Sequence, residues 1–142
     1  MAEKLIVFDL DGTLLDTLED IRGAINYALA AWSVPKVDKN KIREYVGHGL
    51  RNALFTALNK SGVQIPQEDL PLMVDLMLSC YRNHPSDHTR PYDGIVDMLS
   101  FLMDDGFKLG VISNKSQELV VRIIKVSPRS NRFEGIIGHC DQ

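Results

Sequence analysis

Lys4-Leu5-Ile6-Val7-Phe8-Asp9-Leu10-Asp11-Gly12-Thr13-Leu14-Leu15-Asp16-Thr17 is the stretch from which the rest of the chain is read. Leu5 to Phe8 is an unbroken apolar run of β-formers, the pattern of a parallel strand buried on both faces. It stops at two carboxylates that flank one apolar residue, and a Gly-Thr turn follows. Open α/β sheets bind ligands beyond the carboxyl ends of their strands, so Asp9 and Asp11 fall where such a fold does its chemistry. In extended geometry they point to the same side, with Cα atoms about 7 Å apart from the strand rise. That spacing suits two oxygen ligands around one hard cation, or a nucleophile and its acid partner. The alternative is a strand that runs into a polar turn, with Asp present for turn chemistry.

Downstream the pattern is helical. Leu18, Ile21, Ile25, Leu29 and Trp32 recur at steps of three and four, which predicts a helix over 18–32. Asp16 or Thr17 is placed to cap its start, and Ser33-Val34-Pro35 ends it. Asp38 is placed to cap a short helix through Tyr45. Val46-Gly47-His48-Gly49 breaks that pattern before a helix over 50–60, closed by Ser61-Gly62. A fourth helix is expected from about Gln67 to Arg82.

After the turn Arg90-Pro91-Tyr92-Asp93-Gly94 the character changes. Ile95 to Met103 reads as a helix, Phe107 to Asn114 as a second core strand ending in polar residues, Glu118 to Val126 as a helix, and Phe133 to Gly138 as a short third strand. Strands alternating with helices predict a right-handed parallel α/β core. The expected fold class is α/β: a Rossmann-like, incomplete parallel sheet of about three strands with an inserted four-helix domain. A plain crossover between parallel strands needs only about a dozen residues. The helical block at 17–88 is therefore an insertion, and 1–16 with 89–142 form the core.

A length of 142 residues suits one average domain, or a small core with an insertion. With 44% hydrophobic and 25% charged residues the chain has enough apolar surface for a real core. The net charge of −3 leaves no basic footprint, which sets nucleic acid aside as a main partner. No apolar run approaches the length of a membrane span, and Met1-Ala2-Glu3-Lys4 leads into a strand without a signal-peptide pattern. Cys80 and Cys140 are too few for a disulfide framework, so a reducing cytoplasm is the expected location.

Asp9-Leu10-Asp11-Gly12-Thr13-Leu14-Leu15-Asp16-Thr17 resembles the first motif of the haloacid dehalogenase superfamily of phosphatases and phosphomutases, and within it the phosphoglycolate phosphatase-like branch. The resemblance implies that Asp9 is the nucleophile that accepts the phosphoryl group and Asp11 the general acid and base. It implies a Mg²⁺ ion held by the Asp9 side chain and the Asp11 backbone carbonyl, and a small phosphorylated metabolite as substrate. It also makes 17–88 a cap able to close over the site. Gly12 would let backbone N–H groups approach the phosphate. Ser113 matches the second motif, a hydroxyl bonded to the phosphoryl oxygens, with the Asn114 N–H as a further donor. On its own a Ser at a strand end is more often a helix N-cap, and here both roles are open to it. Val46-Gly47-His48-Gly49-Leu50-Arg51-Asn52 resembles the cap's specificity loop, so that His48 or Arg51 would meet a substrate carboxylate or phosphate. The alternative is a solvated linker with a surface Arg.

The family's third-motif Lys and the Gly-Asp segment of its fourth motif have no counterpart in this sequence. Lys115 directly follows Ser113-Asn114, as in this branch, where the third-motif Lys lies elsewhere. Family members continue past the third strand, with a fourth strand that pairs beside the first. The chain is thus expected to be a fragment, or to have its missing part supplied by another chain, and its first strand is expected to be an apolar edge. Two other readings follow: a truncated, catalytically silent domain with a binding role, and a cap-bearing phosphomutase resembling β-phosphoglucomutase. His84 and His88 share an H-x₃-H spacing, and His139-Cys140-Asp141 cluster near the end, but neither set brings the further ligands of a metal site.

Overall fold

A computed structural model describes residues 2–139, so Cys140 and Asp141 lie outside the described residues. The chain divides into two compact units, Met1–Thr17 with His88–Gln142, and Leu18–Asp87.

The unit Leu18–Asp87 is helical. Helix α1 (Leu18–Ala30) buries Leu18, Ile21, Ala24, Ile25, Ala28 and Leu29, a continuous apolar stripe at helical spacing. It ends two residues earlier than its pattern predicts. Ala31 to Ser33 form a turn with Ser33 at φ +57°, and the Trp32 indole Nε1 donates to Asp69 Oδ2 at 2.9 Å. An indole with a polar partner sits at a boundary and not in the core. Asn26 ties the following loop back to α1. Its Nδ2 donates to the Val37 carbonyl at 3.0 Å, and the Val37 N–H donates to its Oδ1 at 2.8 Å.

Helix α2 (Lys39–Tyr45) starts at Asp38, whose carboxylate accepts the Lys41 N–H at 2.9 Å. Removing that cap by Asp38→Ala is expected to cost about 1 kcal/mol. The measurement is a lower urea midpoint with an unchanged slope. A 3₁₀ turn (Val46–His48) leads to α3 (Leu50–Ser61), which buries Ala53, Leu54, Ala57 and Leu58 and closes at a left-handed Gly62. A second 3₁₀ turn (Gln67–Asp69) precedes α4 (Leu70–Asn83), with Pro71 in its first turn. Met73, Val74, Met77 and Tyr81 of α4 are buried, and α4 packs chiefly on α1. No helix among the described residues is long and apolar enough to cross a membrane.

The other unit is α/β. Strand β1 (Leu5–Phe8) runs into the carboxylate turn, and β2 (Leu15–Asp16) pairs antiparallel with β3 (Arg90–Pro91). Helix α5 (Ile95–Asp104), strand β4 (Lys108–Ser116), helix α6 (Gln117–Ile123) and strand β5 (Gly135–His139) complete it. The three long strands form one parallel sheet in the order β1-β4-β5, and β1 is an edge among the described residues. Helix α5 packs on β4, and α6 on both β4 and β5. Leu99, Leu119, Val120 and Ile123 are buried together with Leu109 and Val111.

Two expectations need correction. Strand β1 is not buried on both faces: Leu5 and Val7 are exposed, as are Ile112 and Ile137. The register pairs Leu5 with Lys108, Val7 with Gly110 and Ile112 with Ile137, and paired residues share a face, so one side of the sheet is open to solvent. Strand β4 also runs two residues past Asn114, through Ser116. The cap of α6 is consequently Ser116, which accepts the Leu119 N–H at 3.4 Å, and not Ser113.

Candidate active site

The parallel register Phe8↔Val111 brings the carboxyl ends of β1 and β4 to one edge. Beyond Phe8 the chain folds into a tight loop around one carbonyl. The Leu10 C=O accepts the N–H groups of Thr13 (3.3 Å), Leu14 (3.0 Å) and Leu15 (3.1 Å). Leu10, Leu14 and Leu15 are all buried, and their burial anchors the loop. Asp9 is left exposed and Asp11 half-buried. Gly12 has φ +76°, a conformation that strains any L side chain, which explains a glycine there. Its own N–H donates to the Leu15 carbonyl at 3.0 Å. Gly12 therefore shapes the loop, and its N–H is already engaged within it.

Asp11 is held from two sides on one oxygen. Its Oδ1 accepts the Thr17 hydroxyl at 2.6 Å and the Lys115 ammonium at 2.8 Å. The Lys115 side chain is 4% exposed against 29% for Asp11, so the ammonium reaches the carboxylate from inside the fold. Strand alternation explains how it gets there. Along β4, Leu109, Val111, Ser113 and Lys115 are buried, while Ile112 and Asn114 are exposed. Ser113 and Lys115 share a face, and Asn114 projects from the other. The Ser113 Oγ accepts the Lys115 N–H at 3.1 Å, which leaves the hydroxyl hydrogen for a further acceptor.

Thr17 and Lys115 are the two polar contacts of the site that residue patterns did not single out. Thr17 reads locally as a helix cap, and Lys115 as a polar residue past the end of a strand. The inward direction of Lys115 becomes apparent only from β4 continuing through Ser116.

Among the described residues, no group of three or more His, Cys, Asp or Glu side chains converges. The exposed Asp9 carboxylate is an oxygen donor able to hold a hard cation here, and the resemblance would add the Asp11 backbone carbonyl. That set fits Mg²⁺, which keeps several waters and is typically bound through one or two carboxylates plus substrate phosphate.

The model of the haloacid dehalogenase-like hydrolases matches residues 6–142. The chain belongs to that family. The chain is 36% identical over 133 residues to a phosphoglycolate phosphatase of Caulobacter vibrioides, a match covering 94% of the chain and 56% of the relative. It is 33% identical to an N-acetylmuramic acid 6-phosphate phosphatase of Pseudomonas aeruginosa, over 81% of the chain and 50% of the relative. The crystal structure of a predicted phosphoglycolate phosphatase from Haemophilus somnus aligns with a TM-score of 0.86 at 26% identity, covering 96% of this chain and 62% of that one. The chain thus spans between half and two thirds of the length of these relatives.

The other candidate residues lie in the helical unit. His48 is exposed on the 3₁₀ turn, and Arg51 is exposed in the first turn of α3. Arg51 lines a cavity of about 190 Å³ with Phe55, Leu70, Pro71, Val74 and Asp75. The His84 Nδ1 lies 2.9 Å from Asp87 Oδ2, a pair exposed on both sides. The Cys80 thiol is pushed above its ordinary pKa, first by burial and then by the Asp87 charge, which disfavours the nucleophilic thiolate.

Proposed function

We propose that this chain is a Mg²⁺-dependent phosphatase for a small phosphorylated metabolite that works through an aspartyl-phosphate on Asp9. The observation that carries the reading is the contrast between the two carboxylates. Asp9 is exposed, whereas Asp11 is fixed through Oδ1 by Thr17 and Lys115. A free carboxylate suits attack, and a held one suits proton transfer. In the first step an Asp9 oxygen bonds to phosphorus as the ester P–O bond breaks, and Asp11 delivers its proton to the leaving oxygen. In the second step Asp11 takes a proton from water as the water oxygen bonds to phosphorus and the Asp9–phosphorus bond breaks.

Bound Mg²⁺ would offset the repulsion between the Asp9 carboxylate and the anionic phosphate. Ser113 donates its hydroxyl hydrogen to a phosphoryl oxygen, and the Asn114 N–H is the further donor. The helical unit Leu18–Asp87 serves as the cap that reads the substrate. Phosphoglycolate and N-acetylmuramic acid 6-phosphate, named for two relatives, are both phosphate monoesters that carry a carboxylate. An exposed guanidinium or imidazole is the group that recognises such a carboxylate, and Arg51 and His48 supply them. Small polar substrates of this kind suit a cytoplasmic enzyme.

The test is phosphate release from p-nitrophenyl phosphate and phosphoglycolate with Mg²⁺. Hydrolysis should appear with Mg²⁺, stop with EDTA and return when Mg²⁺ is restored. A folded sample that releases no phosphate from either ester would overturn the reading. Conversion of a hexose phosphate to its isomer without net phosphate release would instead identify a phosphomutase.

A further inference from the structure

We infer that Lys115, together with Thr17, is the positioning group of Asp11: it holds Oδ1, leaves Oδ2 as the oxygen that carries the proton, and keeps the Asp11 side chain from serving as a cation ligand. This rests on the phosphatase reading for its catalytic part, and on the contacts alone for its cation part.

Three features support it. First, Lys115 Nζ and Thr17 Oγ1 reach the same oxygen, at 2.8 and 2.6 Å. Two donors converging on one oxygen fix the rotation of the carboxylate, whereas donors on separate oxygens would occupy both proton sites. Second, the Lys115 side chain is almost wholly buried. Taking an ammonium out of water is costly unless it is paired, and an apolar residue of the same length would fill that space without the penalty. The charge at this position therefore has a use beyond packing. Third, the same residue orients its neighbour, because the Lys115 N–H is the donor that the Ser113 Oγ accepts. One strand segment thus sets the direction of the proton-carrying carboxylate and of the phosphate-binding hydroxyl.

A division of labour between the two carboxylates follows. Two unrestrained carboxylates near one divalent ion would both be drawn to it. With Oδ1 of Asp11 neutralised by a fixed cation, Asp9 is the carboxylate left for the ion.

The test uses the 142-residue chain with Lys115→Met, which keeps length and removes charge, and Thr17→Val and Thr17→Ser, which remove or keep the hydroxyl. In Mg²⁺-dependent hydrolysis of p-nitrophenyl phosphate, Lys115→Met and Thr17→Val should lower kcat about 10–100-fold, the scale for groups that orient a reacting ligand. KM should stay nearly constant, and Thr17→Ser should restore the rate. Mn²⁺ titration by calorimetry reads the cation part without turnover. Lys115→Met should bind Mn²⁺ several-fold more tightly, because a repelling charge is gone and Asp11 is released as a second ligand. Lys108→Met, the same charge change at the other end of β4, should alter neither readout.

Unchanged kcat in Lys115→Met and Thr17→Val, or equal losses in Thr17→Val and Thr17→Ser, would overturn the positioning role. If no protein hydrolyses the ester, the phosphatase reading fails and the Mn²⁺ titration alone decides. Equal affinity in wild type and Lys115→Met, or no binding by either, then overturns the inference. Should Lys115→Met not fold, Thr17→Val against Thr17→Ser gives the same comparison.

Discussion

Asp9→Asn is expected to lower kcat for Mg²⁺-dependent phosphate release by about 10⁴-fold or more, the scale of loss when a covalent nucleophile is removed. The amide keeps the size of the carboxylate but has neither its charge nor its nucleophilic oxygen. It loses two functions at once, attack on phosphorus and the carboxylate contact to the cation. Because Asp9 is exposed at the end of β1, the fold should tolerate the change. Surface substitutions of this kind usually stay within about 0.5 kcal/mol. The melting temperature should therefore stay close to that of the wild type while the rate collapses. Acid-quenched wild type incubated with ³²P-labelled substrate should retain label that hydroxylamine removes, and Asp9→Asn should retain none. A variant that keeps a tenth of the wild-type rate would remove Asp9 from the nucleophile's place.

The parts of this molecule that follow from local pattern were readable from sequence. The apolar run of β1, the stripe of α1, the Asp38 cap and the Gly62 stop depend on neighbours within a few residues. The alternation of strands and helices led to the parallel sheet in the same way. For the candidate site, residue types carry the motif, and the structure brings the ends of β1 and β4, with Asp9, Asp11 and Ser113, to one edge of the sheet. What escaped were contacts between distant residues and the end of one strand. Asp11 and Lys115 are 104 positions apart, and nothing local to Lys115 says that it turns inward. That direction depends on β4 continuing through Ser116, and strand ends are poorly marked where polar residues begin. Local pattern makes Thr17 a helix cap, yet its hydroxyl donates across the loop to Asp11. Gly12 shows the same limit from the other side. Its glycine predicts a turn, but only the fold shows that its N–H is engaged by Leu15.

The same strand junction yields the largest expected stability effect. A Cβ on Gly138 would lie 2.6 Å from the Gln117 Cα, 2.7 Å from its N and 2.8 Å from the Lys115 carbonyl oxygen. All three are backbone atoms, so no side-chain rotation relieves the contact, and β5 must move away from the start of α6. That movement strains a second link. The Gln117 side chain clasps β5 at two points, with Nε2 donating to the Ile136 carbonyl at 2.8 Å and Oε1 accepting the Gly138 N–H. It bridges the stretch where the β4–β5 register is irregular, between Ile112 and Ser116. Gly138→Ala is therefore expected to destabilise the chain by about 1–3 kcal/mol or more, the scale of overpacking in a tight interior. Differential scanning calorimetry should show the melting temperature falling by several degrees. Gly135→Ala in the same strand is the control, because a Cβ there has nothing within 4 Å, and it should melt like the wild type. Since one of the clashes is with Lys115 itself, Gly138→Ala should also slow phosphate release below the temperature at which it unfolds. Equal melting temperatures for the two alanine variants would show that β5 does not make this close approach to α6. A lower melting temperature with an unaltered rate would show that the backbone at Lys115 shifts without disturbing its hold on Asp11.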